Sequence, residues 1–263
     1  MCAQSIKPAT AREIVAILHD ATLQELPHLI DRYADDPRSQ VRKAVERATK
    51  RMRTQEAERE RVLSMYRLQD EIAHGGTALG VDEVGRGAIA GPLTVCAVAL
   101  PSEPIIWGLN DSKQLTPAKR EALAAQVAEH ALAIGIAHIE PASIDAVGMA
   151  VALRMGMSQA IEAAGIDPDV VIIDGNPVHV HPKEVTLVKG DARIASIAAA
   201  SIVAKVTRDA MMVAYAEDYP EYGFDSCKGY GSAEHIAAIG EHGLSPLHRV
   251  SFCGNFLQTP RLF

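Results

Sequence analysis

The sequence predicts an α/β protein, in which a mixed β-sheet is covered by helices and preceded by a helical segment. Three observations lead to this class. Residues 10–73 carry apolar residues at helical spacing, and their second half has almost no glycine or proline. Three short apolar runs follow as a group between residues 78 and 140, and strand-like and helix-like segments alternate after them. This order is typical of a sheet with antiparallel and parallel strand pairs.

The N-terminal segment is predicted to be a helical hairpin or a small helical domain. Its helices cover residues 10–33 and 40–73, with Asp35-Asp36-Pro37 as the turn. Six basic residues and one acidic residue between positions 42 and 53 favour a solvated helix face, and a contact with a phosphate backbone is the alternative. His74-Gly75-Gly76 is the predicted linker, so we divide the chain into residues 1–75 and 76–263.

The second domain contains five predicted strands, recognised by apolar and β-branched runs that end at turn residues. The predicted strands are residues 78–84, 93–100, 130–140, 170–175 and 184–190. The predicted helices are residues 117–131, which Thr116-Pro117 opens, 143–165, which ends at Gly165, and 192–219, which is rich in small residues.

Composition excludes several classes of protein. Of the 263 residues, 48 % are apolar and 22 % are charged, as in ordinary globular proteins. The net charge of −7 argues against a simple basic nucleic-acid coat protein, although a hydrolase that holds divalent cations can be acidic and still bind nucleic acid. Four scattered cysteines without a C-x-x-C pair suggest neither structural zinc nor a disulfide framework.

No apolar run approaches the roughly 20 residues of a membrane span, and the first ten residues lack the layout of a signal peptide. We therefore expect a cytoplasmic protein that does not contact membranes.

Four carboxylates stand where predicted strands stop or turns begin: Asp82, Glu83, Asp174 and Asp191. A charge at the edge of a core is costly unless a partner neutralises it, so several together predict a divalent-cation site. Ligands that are all oxygen favour magnesium or manganese over zinc. Taken singly, Asp191 could be only a helix N-cap, and Asp174-Gly175 could be only a turn.

The turn Gly85-Arg86-Gly87 follows the first two carboxylates directly. It is not a dinucleotide-binding loop, because the G-x-G-x-x-G spacing fails and Pro92 with another strand-like run follows instead of a helix.

Six ordered segments resemble the signature blocks of bacterial ribonuclease HII. They are GVDEVGRGAIAGP (80–92), LNDSKQL (109–115), VIIDG (171–175), KGDARIASIAAASIVAKVTRD (189–209), KGYGS (228–232) and LHRVSF (247–252). The helical N-terminal segment also resembles an extension found in some bacterial members. Val84, Cys227 and Ser232 depart from the commonest family residues, but none of these changes removes a reactive group.

The resemblance implies the ribonuclease H fold, a five-stranded mixed sheet flanked by helices with a small helical C-terminal portion. It implies that Asp82, Glu83, Asp174 and Asp191 are catalytic and hold two Mn²⁺ or Mg²⁺ ions. Asp82, Glu83 and Asp174 match the metal ligands most securely, whereas Asp191 either positions the water or binds the second ion. Two ions about 4 Å apart would serve an in-line attack of water on a phosphodiester.

The expected substrates are RNA–DNA hybrids and duplex DNA that contains ribonucleotides, cut on the 5′ side of a ribonucleotide to leave a 3′-hydroxyl and a 5′-phosphate. By resemblance, the main chain of Gly85, Arg86 and Gly87 contacts the 2′-hydroxyl, and Tyr230 hydrogen-bonds it. Further candidate phosphate contacts are Lys113, Lys205 and Lys228. Asp209 is a competing fourth carboxylate, but its place after Lys205 on a predicted helix favours a role in balancing charge on that helix.

The tail at residues 258–263 resembles a weak sliding-clamp peptide, and a frayed terminus is the simpler interpretation. We expect a monomer. Rival functions are a structure-specific nuclease or a non-catalytic hybrid-binding protein on the same fold, and more remotely an oxidoreductase.

Overall fold

The computed structural model describes residues 9–255 and divides the chain into two compact units, with the division between Arg61 and Val62. The first unit contains α1 (Ala11–Asp20), α2 (Leu26–Tyr33) and the first part of α3 (Ser39–Ala73). The sequence-based division at residue 75 stays a prediction.

The first unit is helical for reasons that the sequence shows locally. Thr10 accepts a hydrogen bond from the Glu13 amide while the Glu13 carboxylate accepts from the Thr10 amide, which forms a capping box at the start of α1. Apolar side chains from all three helices form a small core, with Leu18, Leu26 and Val41 buried at its centre. The predicted turn at 35–37 lies between α2 and α3.

The second unit is built on the predicted five-stranded mixed sheet. Its strands are β1 (Ala78–Val84), β2 (Leu93–Ala99), β3 (Ala133–Ile139), β4 (Val170–Asp174) and β5 (Glu184–Leu187). Their order across the sheet is β3-β2-β1-β4-β5. The pairs β1–β2 and β2–β3 are antiparallel, whereas β1–β4 and β4–β5 are parallel. The fold class predicted from the sequence is therefore confirmed.

Helices cover both faces of the sheet. The helices that follow β2 are α4 (Pro117–His130), α5 (Pro141–Val147), α6 (Met149–Ala163), α7 (Ala195–Asp218), α8 (Phe224–Cys227), α9 (Ala233–His242) and α10 (Val250–Cys253). On one face, Val98 belongs to a buried cluster with Ile202 of α7, and on the other, Val81 belongs to a cluster with Met157 of α6. The small side chains of α7 let this long helix lie close against the strands.

The single helix predicted at 143–165 is wrong, because the structure breaks it into α5 and α6 at Gly148. Gly148 has a φ of 77°, a left-handed conformation that a residue without a Cβ adopts at little cost. The last three helices pack around Phe224 and Ile239 in a separate small core, which is the predicted helical C-terminal portion. Within residues 9–255, we find no helix with the length and apolar character needed to cross a membrane.

Candidate active site

Three of the four predicted carboxylates lie at one edge of the sheet. Because β1 and β4 are parallel neighbours, their carboxyl ends meet there, with Asp82 and Glu83 near the end of β1 and Asp174 as the last residue of β4. The fourth, Asp191, belongs to a 3-10 turn at Gly190–Ala192 just before α7. The amide of Gly190 donates to Asp174 Oδ1 at 2.7 Å, which ties the turn to the end of β4.

Asp191 is not the N-cap of α7. That position belongs to Ile194, and no side chain caps the helix. The Asp191 side chain is instead buried, with 8 % of its surface exposed. Burial is the main cause that raises the pKa of Asp191, and the charges of Asp111 and Asp174 add to it. The interpretation of Asp191 as only a helix N-cap is therefore excluded.

Asp82 and Glu83 follow the alternation of a regular strand and face opposite sides of the sheet. Asp82 is 7 % exposed on the α7 side, where Ser201 hydrogen-bonds its carboxylate. Glu83 lies on the α6 side and lines a cavity together with Leu153 and Met157. The two neighbours therefore approach the sheet edge from its two faces.

Their charges remain coupled in spite of this. Burial is the main cause that raises the pKa of Asp82 well above its ordinary value, and the charges of Glu83 and Asp174 raise it further. Burial also raises the pKa of Glu83, against the lowering effect of Arg86, whose Nη1 lies 3.6 Å from Glu83 Oε1. Carboxylates that disfavour each other's charge are a place where a divalent cation would be stabilising.

In the part of the chain that the structure describes, no group of three or more histidine, cysteine, aspartate or glutamate side chains is arranged so as to hold a metal ion. The donor chemistry nevertheless fits Mg²⁺ or Mn²⁺, because the mutually repelling side chains offer only oxygen atoms.

The Gly85-Arg86-Gly87 turn adjoins this edge. Gly85 has a φ of +84°, and a Cβ there would lie 2.3 Å from Arg208 Nε, so no other residue fits without a shift. Gly87 has no atom within 4 Å of the position of a Cβ, and Arg86 is exposed. The turn therefore presents an open outer side and a tightly packed inner side.

Two buried arginines hold that inner side, and sequence reasoning did not single them out. Arg208 of α7 donates to the carbonyl oxygens of Pro92, Lys228 and Ala90 at 2.8, 2.8 and 2.9 Å. Arg249 donates to Gly91 O twice, at 3.1 and 2.8 Å, and to Arg86 O at 3.2 Å.

Both guanidinium groups are fully buried, and neither forms a salt bridge with a carboxylate in residues 9–255. Burial lowers the pKa of Arg249 to about 10, and the neighbouring charge of Arg208 lowers it too. One local signal was present: Ala204 and Met212, four residues before and after Arg208, place it on the apolar side of α7. These arginines join the Gly-Arg-Gly turn to the loop that carries Tyr230.

Tyr230 lies beside that turn with its side chain partly in solvent. Its ring is packed against Arg208, whose Cζ is 5.5 Å from the ring centroid, and against Lys205, whose Nζ is 5.9 Å away. The amides of Ile89 and Ala90 donate to Gly229 O at 2.9 and 3.0 Å, so the two loops are directly bonded. At 37 % exposure, Tyr230 is not a core residue.

A buried histidine pair is hydrogen-bonded to the main chain of the Tyr230 loop. His235 Nδ1 lies 2.8 Å from Tyr230 O, and His235 Nε2 lies 3.0 Å from His248 Nε2. The amide of Ser245 donates to His248 Nδ1 at 3.0 Å, which makes that nitrogen an acceptor. One neutral tautomer of each ring then satisfies the whole chain of hydrogen bonds, with donation from His248 to His235 and from His235 to Tyr230 O. Burial lowers the pKa of His235, and burial and His235 lower that of His248 to about 4.

The three candidate lysines lie in different settings. Burial acts to lower the pKa of Lys113, yet the charges of Asp111, Asp82, Asp191 and Asp174 raise it overall, so this ammonium group adjoins the carboxylates. Lys205 pairs with Asp209, with 2.8 Å between Nζ and Oδ1. The ammonium group of Lys228 donates to the carbonyl oxygen of Asp225, and its role in substrate binding stays a prediction.

Comparisons with known proteins find relatives for both parts of the chain. Residues 79–255 match the Ribonuclease HII family and residues 10–73 match the Ribonuclease HII N-terminal domain. The ribonuclease HII of Enterococcus faecalis is 39 % identical over 243 residues, which cover 92 % of this chain and 94 % of that protein. The ribonuclease HII of Bacillus subtilis is 41 % identical over 83 % of this chain and 86 % of its own length.

Solved structures share the fold. Ribonuclease H2 from Pyrococcus horikoshii superposes with a TM-score of 0.59 at 26 % identity, over 70 % of this chain and 100 % of that chain. Ribonuclease HII from Archaeoglobus fulgidus, solved in complex with PCNA, gives 0.58 at 24 % identity, over 66 % of this chain and 94 % of that chain. Bst-RNase HIII, in complex with Mn²⁺, gives 0.56 at 20 % identity, over 70 % of each chain. The match over most of its length shows that the chain belongs to the ribonuclease HII family, a family of hydrolytic nucleases.

Proposed function

We propose that this ribonuclease H-type endonuclease hydrolyses the RNA strand of RNA–DNA hybrids and cuts 5′ of single ribonucleotides embedded in duplex DNA. One observation carries the proposal: the carboxylates at the ends of β1 and β4 adjoin the Gly85–Gly87 turn, to which the Tyr230 loop is bonded. A group able to hold cations and a surface able to contact a sugar are therefore next to each other. The products would carry 3′-hydroxyl and 5′-phosphate ends.

Asp82, Glu83 and Asp174 would hold two divalent ions, Mg²⁺ or Mn²⁺, and these ions would supply charge neutralisation at the phosphate and activation of water. The raised pKa values of Asp82 and Glu83 mean that protons compete with cations for these oxygens. Asp191 would either orient the attacking water or contribute to the second ion.

Recognition of the ribonucleotide would depend on its 2′-hydroxyl, the group that distinguishes RNA from DNA. The main chain of Gly85, Arg86 and Gly87 and the hydroxyl of Tyr230 would contact it. Lys113 would contribute a positive charge beside the carboxylates, and Lys205 would contribute one beside the Tyr230 ring.

The deciding experiment uses labelled duplex DNA with one ribonucleotide, incubated with the protein in the presence and absence of Mg²⁺ or Mn²⁺. We expect metal-dependent cutting at the 5′ side of the ribonucleotide. Binding without cutting would favour a non-catalytic hybrid-binding protein, and cutting of all-DNA branched substrates alone would favour a structure-specific nuclease.

Tyr230→Phe tests the recognition of the sugar. Removing the hydroxyl while keeping the ring should reduce turnover on a single ribonucleotide by roughly 2-fold to 10-fold, because a hydrogen bond of about 0.5–1.5 kcal/mol between two neutral hydroxyls is lost in the transition state. Substrate binding, measured without metal, should change much less. Unchanged turnover would reject this role for Tyr230.

We also propose that the tail at 258–263 binds a sliding clamp, an idea that the PCNA complex of the Archaeoglobus protein supports by analogy. The tail lies outside the described residues. Deleting it should abolish binding to the clamp and leave cleavage of naked substrate intact. Clamp binding that survives the deletion would discard the idea.

We further propose that the protein acts in the cytoplasm as a monomer, and the free thiols of Cys96, Cys227 and Cys253 fit a reducing compartment.

A further inference from the structure

The cavity on the α6 side of Glu83 extends beyond the residues that the proposal above uses. It has a volume of about 450 Å³, within the range of pockets that hold small ligands. Its walls come from the end of β1, the loop after β4 and the first half of α6. The cavity therefore opens beside the carboxylate edge, on the face opposite to Asp82.

The walls of this cavity combine three kinds of surface. Leu153 and Met157 form an apolar floor. Glu83 and Asp174 stand on the side of the candidate active site, and Arg86 and Arg154 are the two cations that line it. An apolar floor with cations at the rim suits a nucleotide unit, whose sugar and base are largely apolar on their faces and whose phosphate is anionic.

Arg154 is the distinctive residue of this cavity. Its side chain is exposed on α6, and within residues 9–255 it forms no salt bridge or side-chain hydrogen bond. Arg86, by contrast, is drawn towards Glu83. The loop after β4, which also lines the cavity, is held in place by Glu184, whose carboxylate accepts from the amides of Val178, His179 and Val180 at 2.8, 3.1 and 2.8 Å. An unpaired guanidinium and a loop held by hydrogen bonds thus line the same cavity.

We infer that this cavity receives the nucleotide next to the scissile phosphodiester and that Arg154 binds a phosphate of that strand. This inference rests on the proposed function, since it needs a nucleic-acid substrate at the carboxylate edge. The planar guanidinium matches two phosphate oxygens at once, which an ammonium group does not. Arg154 would then add affinity and register without touching the reacting atoms.

The test compares Arg154→Gln with Arg154→Lys and with Lys183→Gln, each in the Asp82→Asn background and without divalent ions, so that binding is measured apart from cleavage. Lys183→Gln is the matched control, because it removes the same charge from the same unit. Lys183 directly precedes the amino end of β5, whereas Asp174 lies at the carboxyl end of the parallel strand β4, and Lys183 pairs with Asp167 at 2.7 Å. One lost phosphate contact lowers the slope of log K against log salt by about 0.9.

When salt rises from 50 to 200 mM, the affinity of the parent protein should therefore fall by a factor about 3.5 times larger than that of Arg154→Gln, whereas Lys183→Gln should match the parent. Arg154→Lys should keep most of the slope. Hybrids in which one phosphate at a time is replaced by uncharged methylphosphonate should then show one position, adjacent to the cut, that weakens binding by the parent but not by Arg154→Gln.

Identical salt slopes and identical methylphosphonate profiles for the parent and Arg154→Gln would overturn the inference. Failure of the proposed function is distinguishable from this outcome, because the unmutated protein would then fail to cut hybrids with Mg²⁺ or Mn²⁺ at all.

Discussion

Asp82→Asn is expected to abolish cleavage, with a loss of at least about 10³-fold, and to leave the fold intact. The loss should equal or exceed that of removing one group that stabilises a transition state, because a neutral amide holds cations poorly. The measurement is the rate of cutting of a hybrid with saturating Mg²⁺ or Mn²⁺. Asp209→Asn is the matched control, since it makes the same chemical change on α7 in a carboxylate that pairs with Lys205. Full activity of Asp82→Asn would remove Asp82 from the mechanism.

The same substitution should change how stability depends on pH. The pKa of Asp82 is raised in the folded protein, so the unfolded chain ionises first as the pH rises and wild-type stability falls from about pH 4 upward through the raised pKa. Asparagine does not titrate, so the melting temperature of the variant minus that of the wild type should increase as the pH rises from 4 to 8. Divalent cations at neutral pH should raise the wild-type melting temperature more than that of the variant.

Arg208→Met is expected to have the largest effect on stability. Methionine fills similar space between Ala204 and Met212 but leaves the carbonyl oxygens of Ala90, Pro92 and Lys228 without their donor. Each buried acceptor without a partner costs about 1–3 kcal/mol, so the free energy of unfolding should fall by roughly 3 kcal/mol or more. In a domain of this size the melting temperature should fall by about 6–12 °C.

Activity should fall further than stability explains, by about 100-fold at temperatures where the variant is folded, because the Gly85–Gly87 turn and the Tyr230 loop lose their common anchor. Val127→Ala is the control, since it removes buried apolar volume from α4 away from these loops. At a matched loss of melting temperature, Val127→Ala should keep nearly full activity. Equal activity of the two variants would show that Arg208 only stabilises the fold.

The sheet and the carboxylates could be predicted from the sequence because their signals are local. A run such as VVIID in β4 is apolar and β-branched, and a charge at its end is conspicuous. Order along the chain then gave the mixed topology. The break at Gly148 was missed because apolar periodicity continues through it and only the backbone conformation reveals it.

The anchors of the substrate loops could not be predicted, because their partners are distant in sequence. Arg249 bonds the carbonyl oxygen of Gly91, 158 residues earlier, and a lone arginine among apolar residues does not indicate which main-chain oxygens it will meet. The pairing of His235 with His248 is hidden in the same way, since it depends on the packing of the C-terminal helices.

The buried arginines also determine which main-chain groups of the Gly-Arg-Gly turn remain free to bind a ligand. The side chains of Arg208 and Arg249 donate to the carbonyl oxygens of Arg86, Ala90, Gly91 and Pro92, and that of Gly85 accepts from the Ala88 amide. The amides of Arg86 and Gly87 have no main-chain partner among residues 9–255. The turn thus keeps two amide donors without a main-chain partner, whereas most carbonyl oxygens in and after it already accept hydrogen bonds. A ligand that offers oxygen lone pairs, as a ribose hydroxyl and a phosphate do, is matched there, and a ligand that offers only N–H groups is not.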